Sequence, residues 1–156
     1  MRKIWRSLTT NIYLWLMRPF LRKEIINFTE NLRNPKEILI RLPPSPGELL
    51  FAFPTLQVIR EHYGDSRIFL LIPKERRMLL QEIPCYDGLT IEEEKALPFT
   101  LRFFQWKRHL RRLSFDLYID LSGEDGTRGR LLTLLCGAKV RIGREGRSPF
   151  FNCVVS

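Results

Sequence analysis

Apolar positions along the chain follow two alternating rhythms. Residues 37–42 (EILIRL), 67–72 (RIFLLI) and 115–121 (FDLYIDL) are short apolar runs of strand length, and RIFLLI is too uniform for a half-exposed strand, so it suits a parallel sheet covered on both faces. Between these runs the period lengthens. Residues 47–63 predict a helix, with Gly64-Asp65 as its stop signal. Residues 99–113 predict a second, because Phe99, Phe103, Trp106, Leu110 and Leu113 recur at i, i+4, i+7, i+11 and i+14. Residues 127–136 predict a third, ended by Gly137. A short helix over 74–82, a brief edge strand over 88–91 and a last short strand over 139–142 complete the series, and FFNCVVS opens a further apolar element, so truncation is an expectation. Strands alternating with helices through short connections imply right-handed βαβ crossovers: an α/β fold with a mainly parallel sheet and helices on both faces.

The first twenty residues follow a different pattern. Ile4, Leu8, Ile12, Trp15 and Leu16 share one helical face with Trp5 beside it, while Lys3, Arg6, Thr10 and Asn11 lie away from it. The net charge of +9 is concentrated here: residues 1–23 hold Arg2, Lys3, Arg6, Arg18, Arg22 and Lys23 with no acid, leaving 20 basic against 17 acidic residues in the remainder. No apolar run reaches the roughly 18 residues a membrane span needs, and the small-residue cleavage site of a secretory signal is missing. A basic helix carrying Arg2, Lys3, Trp5, Arg6 and Trp15 is suited to lie in a membrane interface, rings at headgroup depth and cations against anionic lipid. A helix packed on the domain and a transit peptide remain the alternatives. Pro19 ends this helix, and the chain divides into a basic amphipathic extension over 1–35 and an α/β unit over 36–156.

The composition, 44% hydrophobic and 28% charged, is that of an ordinary globular domain. Cys85, Cys136 and Cys153 form no CxxC pair, which supports neither a zinc site nor a disulfide framework and fits a reducing compartment; Cys136 reads as a small apolar residue near a helix end. The predicted helix 99–113 mixes aromatics with Arg102, Lys107, Arg108, Arg111 and Arg112. The aromatics fall largely on the stripe that covers the sheet, which leaves the cations as a solvated outer face rather than a nucleic-acid surface, with His109 among them. The loop 122–129 follows a strand and opens a helix but lacks the lysine-Ser/Thr ending of a P-loop, so Asp125 or Thr127 reads as a cap. No cofactor or metal is implied. Glu48 stands in the first turn after a strand and a Pro/Gly-rich turn, at the carboxyl edge where doubly wound sheets bind ligands. It has two readings there: a helix-start carboxylate stabilised by the macrodipole by roughly 0.3–1 kcal/mol, or a base for a bound hydroxyl.

Two segments together resemble the heptosyltransferases of glycosyltransferase family 9. IRLPPSPGELLFAFPTLQVIREHYGDSRIFLLIP is similar to their opening I-[RK]-x-S-S-[LM]-G-D and following helix, and FDLYIDLSGEDGTRGRLLTLLCGAKVRIG to their F-D-x-x-I-D-L-x-G…R…LL…GAK-x-R-I-G stretch, in the same order and separation over about residues 36–152. The resemblance implies a Rossmann-like lobe of a two-lobed GT-B glycosyltransferase, the lobe that receives the acceptor. It implies that Glu48 is the catalytic base, aligned with the family aspartate after Gly47. It further implies acceptor contacts from Ser45, Gly47, Gly123 and Arg128, from Lys74, Arg76 and Arg77 after the second strand, and from Arg144; as a helix face, the cations at 74–77 are equally readable as solvated.

Three departures stand out. Glu for Asp adds a methylene, moving the base by about 1 Å, a displacement that costs on the order of 10²-fold in rate. Pro44 and Pro46 flank Ser45 and stiffen the loop. The donor-side lobe, with its glycine-rich motif, is missing. The expected function is therefore the acceptor lobe of an inverting transferase moving a heptose-like sugar from a nucleotide diphosphate to a lipopolysaccharide or related glycan, not competent alone. Its expected place is the cytoplasmic face of the plasma membrane, with a donor lobe and a glycan or glycolipid acceptor as partners and no nucleic acid. The alternative is a non-catalytic module binding an anionic glycolipid or a protein.

Overall fold

The computed structural model describes residues 34–80, 84–92, 100–123, 127–144 and 153–155, together with Ile12 and Trp15. Its elements in chain order are β1 (Glu37–Arg41), α1 (Pro46–His62), β2 (Arg67–Pro73), a 3₁₀ segment (Lys74–Leu80), β3 (Gly88–Glu92), α2 (Leu101–Arg112), β4 (Leu117–Asp120), α3 (Thr127–Leu135), β5 (Val140–Arg144) and β6 (Cys153–Val155). The strands form one six-stranded sheet in the order β3-β2-β1-β4-β5-β6. Every pairing is parallel. The apolar runs thus form the sheet their uniformity predicts, because a parallel strand flanked by helices has no wet face.

Two apolar layers cover the sheet. On one face Phe103, Trp106 and Leu110 of α2 and Leu131, Leu132 and Leu135 of α3 pack on Leu39, Leu71 and Tyr118. On the other, Leu49, Ala52 and Leu56 of α1 pack with Leu80 on Ile38, Ile40, Leu70 and Ile72. The period of 3.6 in α2 puts Phe103, Trp106 and Leu110 inward, and Thr100 caps the helix by accepting from the Phe103 N–H at 3.3 Å. That cap starts the helix at Leu101, two residues later than the spacing of Phe99 predicts, and Phe99 lies outside the described residues. α1 runs through Pro54, whose missing N–H falls on the exposed side of the helix. The stop at Gly137 is real: its φ of +66° is the left-handed conformation that ends a helix and suits glycine.

The predicted helix over 74–82 is instead a seven-residue 3₁₀ turn with only Leu80 buried, a connector between β2 and the edge strand rather than a packing helix. FFNCVVS does begin a further element, β6, paired to β5. The amphipathic N-terminal helix, with Arg2, Lys3, Trp5 and Arg6, lies outside the described residues; Ile12 and Trp15 are helical and 52% and 71% exposed.

Candidate functional site

In this strand order the chain leaves β1 and β4 towards opposite faces, and the loops after them part at the carboxyl edge to leave a crevice. The crevice has a volume of about 630 Å³. Its mouth is polar, formed by Glu48 at the start of α1 and by Asp120, Ser122 and Gly123 at the end of β4; its body is apolar, running between Phe51, Thr55 and Ile59 of α1 and Ile119 and Ile142 of the sheet. The Pro-rich loop sets the start of α1. Ser45 is the N-cap in extended conformation with Pro46 behind it, and the Ser45 carbonyl accepts the Leu49 N–H at 2.9 Å. That start places Glu48 in the first turn, exposed, with no ion pair among the described residues.

The second carboxylate at the mouth is already engaged. Asp120 Oδ1 accepts the Ser122 N–H at 2.9 Å and the Ser122 hydroxyl at 2.5 Å. Its Oδ2 accepts the Tyr118 hydroxyl at 3.1 Å and Arg41 Nη1 at 3.4 Å. A carboxylate offers about four lone-pair sites, and all four are used here. Arg41 Nη1 also donates to Ser122 Oγ at 2.7 Å, and Arg41 Nε lies 3.7 Å from Glu92 Oε2 across β2. Arg41 is 2% exposed and Glu92 5%, so this is a buried ionic network joining the ends of β1, β3 and β4. Burial, and then the Asp120 charge beside it, holds the Tyr118 phenol well above its ordinary range, so it stays protonated and donating.

Arg41, Glu92, Asp120 and Ser122 carry no role in the sequence reading, although a signal was there. Arg41 and Asp120 are charges at the carboxyl ends of two strands with apolar interiors, and a buried charge in that place needs a partner. The register makes each the other's partner, since Arg41 stands directly opposite Asp120.

The structure brings only some of the predicted acceptor contacts to the crevice. Gly123 lines it, in left-handed conformation at φ +64°. Gly47 precedes Glu48 with open space around its Cα. Arg76 donates from Nε to the Pro44 carbonyl at 3.0 Å, which makes it a clip on the Pro-rich loop. Lys74 and Arg77 are exposed on the 3₁₀ turn and do not line the crevice. Arg128 belongs to the first turn of α3 and Arg144 ends β5, but their side chains, like Asp125, lie outside the described residues. Cys136 is buried, and desolvation pushes its thiol up to about 11, against a nucleophilic role. Among the described residues no cluster of His, Cys, Asp or Glu has the arrangement of a metal site, and no helix is long and apolar enough to cross a membrane.

Fold and crevice define a Rossmann-like α/β lobe with its site at the switch point. No sequence-family model matches the chain, and no curated protein sequence matches it significantly. Solved structures do. The chain is similar to the ADP-heptose lipopolysaccharide heptosyltransferase II of E. coli, with a TM-score of 0.62 and 19% identity over 77% of this chain and 34% of that one. It is also similar to a glycosyltransferase family 9 structure from Veillonella parvula, with a TM-score of 0.62 and 17% identity over 78% of this chain and 36% of that one. At these identities the likeness establishes the fold, a glycosyltransferase-like Rossmann lobe, and the chain spans about a third of the length of either structure.

Proposed function

We propose that the chain is the acceptor-binding lobe of an inverting glycosyltransferase, with Glu48 as its general base. The observation that carries this reading is the contrast between the two carboxylates at the crevice mouth: Asp120 has its four acceptor sites filled, whereas Glu48 stands exposed at the head of α1. One carboxylate holds the loop and the other is left to take a proton. In the reaction, Glu48 accepts the proton of an acceptor hydroxyl as its oxygen forms a bond to the anomeric carbon of the donor sugar. The bond from that carbon to the diphosphate breaks with its electron pair, so the nucleoside diphosphate leaves from the opposite face and configuration inverts. A donor lobe supplies the groups that hold the leaving-group charge, and without one this chain binds but does not turn over.

The acceptor is a lipopolysaccharide or a related glycan, and the donor sugar is heptose-like. Gly123 lines the crevice that receives the acceptor, and the family resemblance assigns further acceptor contacts to Ser45, Gly47, Arg128 and Arg144 and, outside the crevice, to Lys74, Arg76 and Arg77. The basic amphipathic extension, through Arg2, Lys3, Trp5, Arg6 and Trp15, holds the lobe at the inner face of the cytoplasmic membrane where a lipid-linked acceptor is presented.

Titration of the isotopically labelled chain with an anionic core oligosaccharide should shift amide signals of Glu48, Ser122 and Gly123, while a nucleotide sugar leaves them unmoved. With a donor lobe supplied, Glu48→Gln should lower kcat by about 10²–10⁴-fold with little change in acceptor affinity. Undiminished turnover by Glu48→Gln would remove the base; oligosaccharide binding without any turnover would instead identify a non-catalytic module for an anionic glycolipid.

A further inference from the structure

The outer face of α2 has no part in the crevice, and its chemistry is one-sided. The helix, LRFFQWKRHLRR, carries Arg102, Lys107, Arg108, Arg111 and Arg112 and no acid. Phe103, Trp106 and Leu110 take the inner stripe, which leaves Arg102, Arg108, Arg111 and Arg112 exposed and Lys107 half-buried. Among the described residues no carboxylate pairs with Arg102, Arg108, Arg111 or Arg112. The helix dipole favours cations in the last turn, which accounts for Arg111 and Arg112 but not for Arg102 or Arg108. Two large apolar side chains share this face at its amino-terminal end, Leu101 at 74% and Phe104 at 52% exposure. Phe104, Lys107, Arg108, Arg111 and Arg112 follow the spacing of one helical stripe and enclose a shallow hollow of about 470 Å³.

From this arrangement we infer that the outer stripe of α2 is a docking surface for an anionic lipid bilayer. Cations spaced along one helix face meet the phosphates of a bilayer, and the apolar ends of Leu101 and Phe104 enter the interface beside them. The pattern favours a membrane over nucleic acid, because Leu101 is aliphatic and offers no base a stacking platform. The surface deepens the membrane contact proposed for the N-terminal extension and rests on that reading. A single weak contact gives marginal, reversible binding, and two signals give a stable one.

The inference also sets an orientation. α2 returns the chain from the carboxyl end of β3 to the amino end of β4, so it runs antiparallel to the strands. Laid on a bilayer, it leaves the sheet roughly parallel to the membrane, with α1 and the body of the crevice on the side away from the lipid and the polar mouth open at the carboxyl edge.

The test is co-sedimentation of the full chain with vesicles of phosphatidylcholine alone and of a one-to-two mixture of phosphatidylglycerol and phosphatidylcholine. At about one kilocalorie per cation, Arg108→Gln, Arg111→Gln and Arg112→Gln combined should weaken partitioning into the anionic vesicles roughly 10²-fold, with binding kept by the corresponding Lys replacements. Phe104→Ser should cost about tenfold, a loss that persists at high salt where the charge effect is screened. Urea midpoints like that of the unaltered chain show that these surface variants fold. A companion variant neutralises the extension (Arg2→Gln, Lys3→Gln, Arg6→Gln, with Trp5→Ala and Trp15→Ala). Loss of binding in the companion alone, with the α2 variant sedimenting like the unaltered chain, overturns the α2 surface and keeps the extension. Loss in the α2 variant alone does the reverse. Equal binding to neutral vesicles, or no vesicle binding alongside salt-sensitive binding of an oligonucleotide, also overturns the inference.

Discussion

Glu48 and Asp120 are both carboxylates at one crevice mouth, and their different surroundings divide the work between them. Asp120 is spent on Arg41, Tyr118 and Ser122, which fixes the β4 loop against the end of β1. Removing one partner of a buried ionic group leaves a charge without compensation, and Arg41→Met should therefore destabilise the fold by about 3–5 kcal/mol, read from urea unfolding. Gly123→Ala is milder: forcing an alanine to φ +64° costs roughly 1–2 kcal/mol, and it should lower acceptor affinity by reshaping the mouth. Glu48 was legible because a strand, a Pro/Gly turn and an acid in a first turn are local features. Arg41 and Asp120 are 79 residues apart, and no local pattern says that parallel registration sets them side by side.

At the scale of elements, α2 separates two neighbouring rings. Phe103 is fully buried against α3 and the sheet, whereas Phe104 faces outward. Phe103→Ala should cost about 3–5 kcal/mol and Phe104→Ala less than about 0.5 kcal/mol, a contrast that thermal melts of the two variants will show. The amino edge of the sheet is held by Asp116, whose Oδ2 accepts the Lys36 and Glu37 N–H groups at 2.9 and 3.3 Å and whose Oδ1 accepts from Lys139 at 2.7 Å. It ties the starts of β1, β4 and β5 together. Its helix-and-strand context was predicted from period alone, with boundaries moved by a residue or two where a cap or turn intervened.

For the molecule as a whole, two depressed carboxyls among the described residues set an acid limit. The Lys139 ammonium, then the backbone N–H groups, hold Asp116 below its ordinary value; the Ile68 N–H, then Arg60, do the same for Asp87. A carboxyl lowered on folding contributes stability that is complete above its unfolded value of about 4 and is lost as the pH falls through its lower folded value. The melting temperature should thus fall below about pH 4, and Asp116→Asn should lower it at neutral pH while flattening that acid decline.

What the chain alone determined is the class of architecture and the outline of one site. Apolar runs, helical period and turn residues act over a few neighbours, and they carry the βαβ order, the parallel sheet and the placing of Glu48. Tertiary structure decided which carboxylate is free and which is bound, that Arg76 clips a loop, and that Arg102, Arg108, Arg111 and Arg112 of α2 are exposed. Those outcomes depend on register and strand order, which bring together residues far apart in the chain, and spacing along a sequence does not record distance across a sheet.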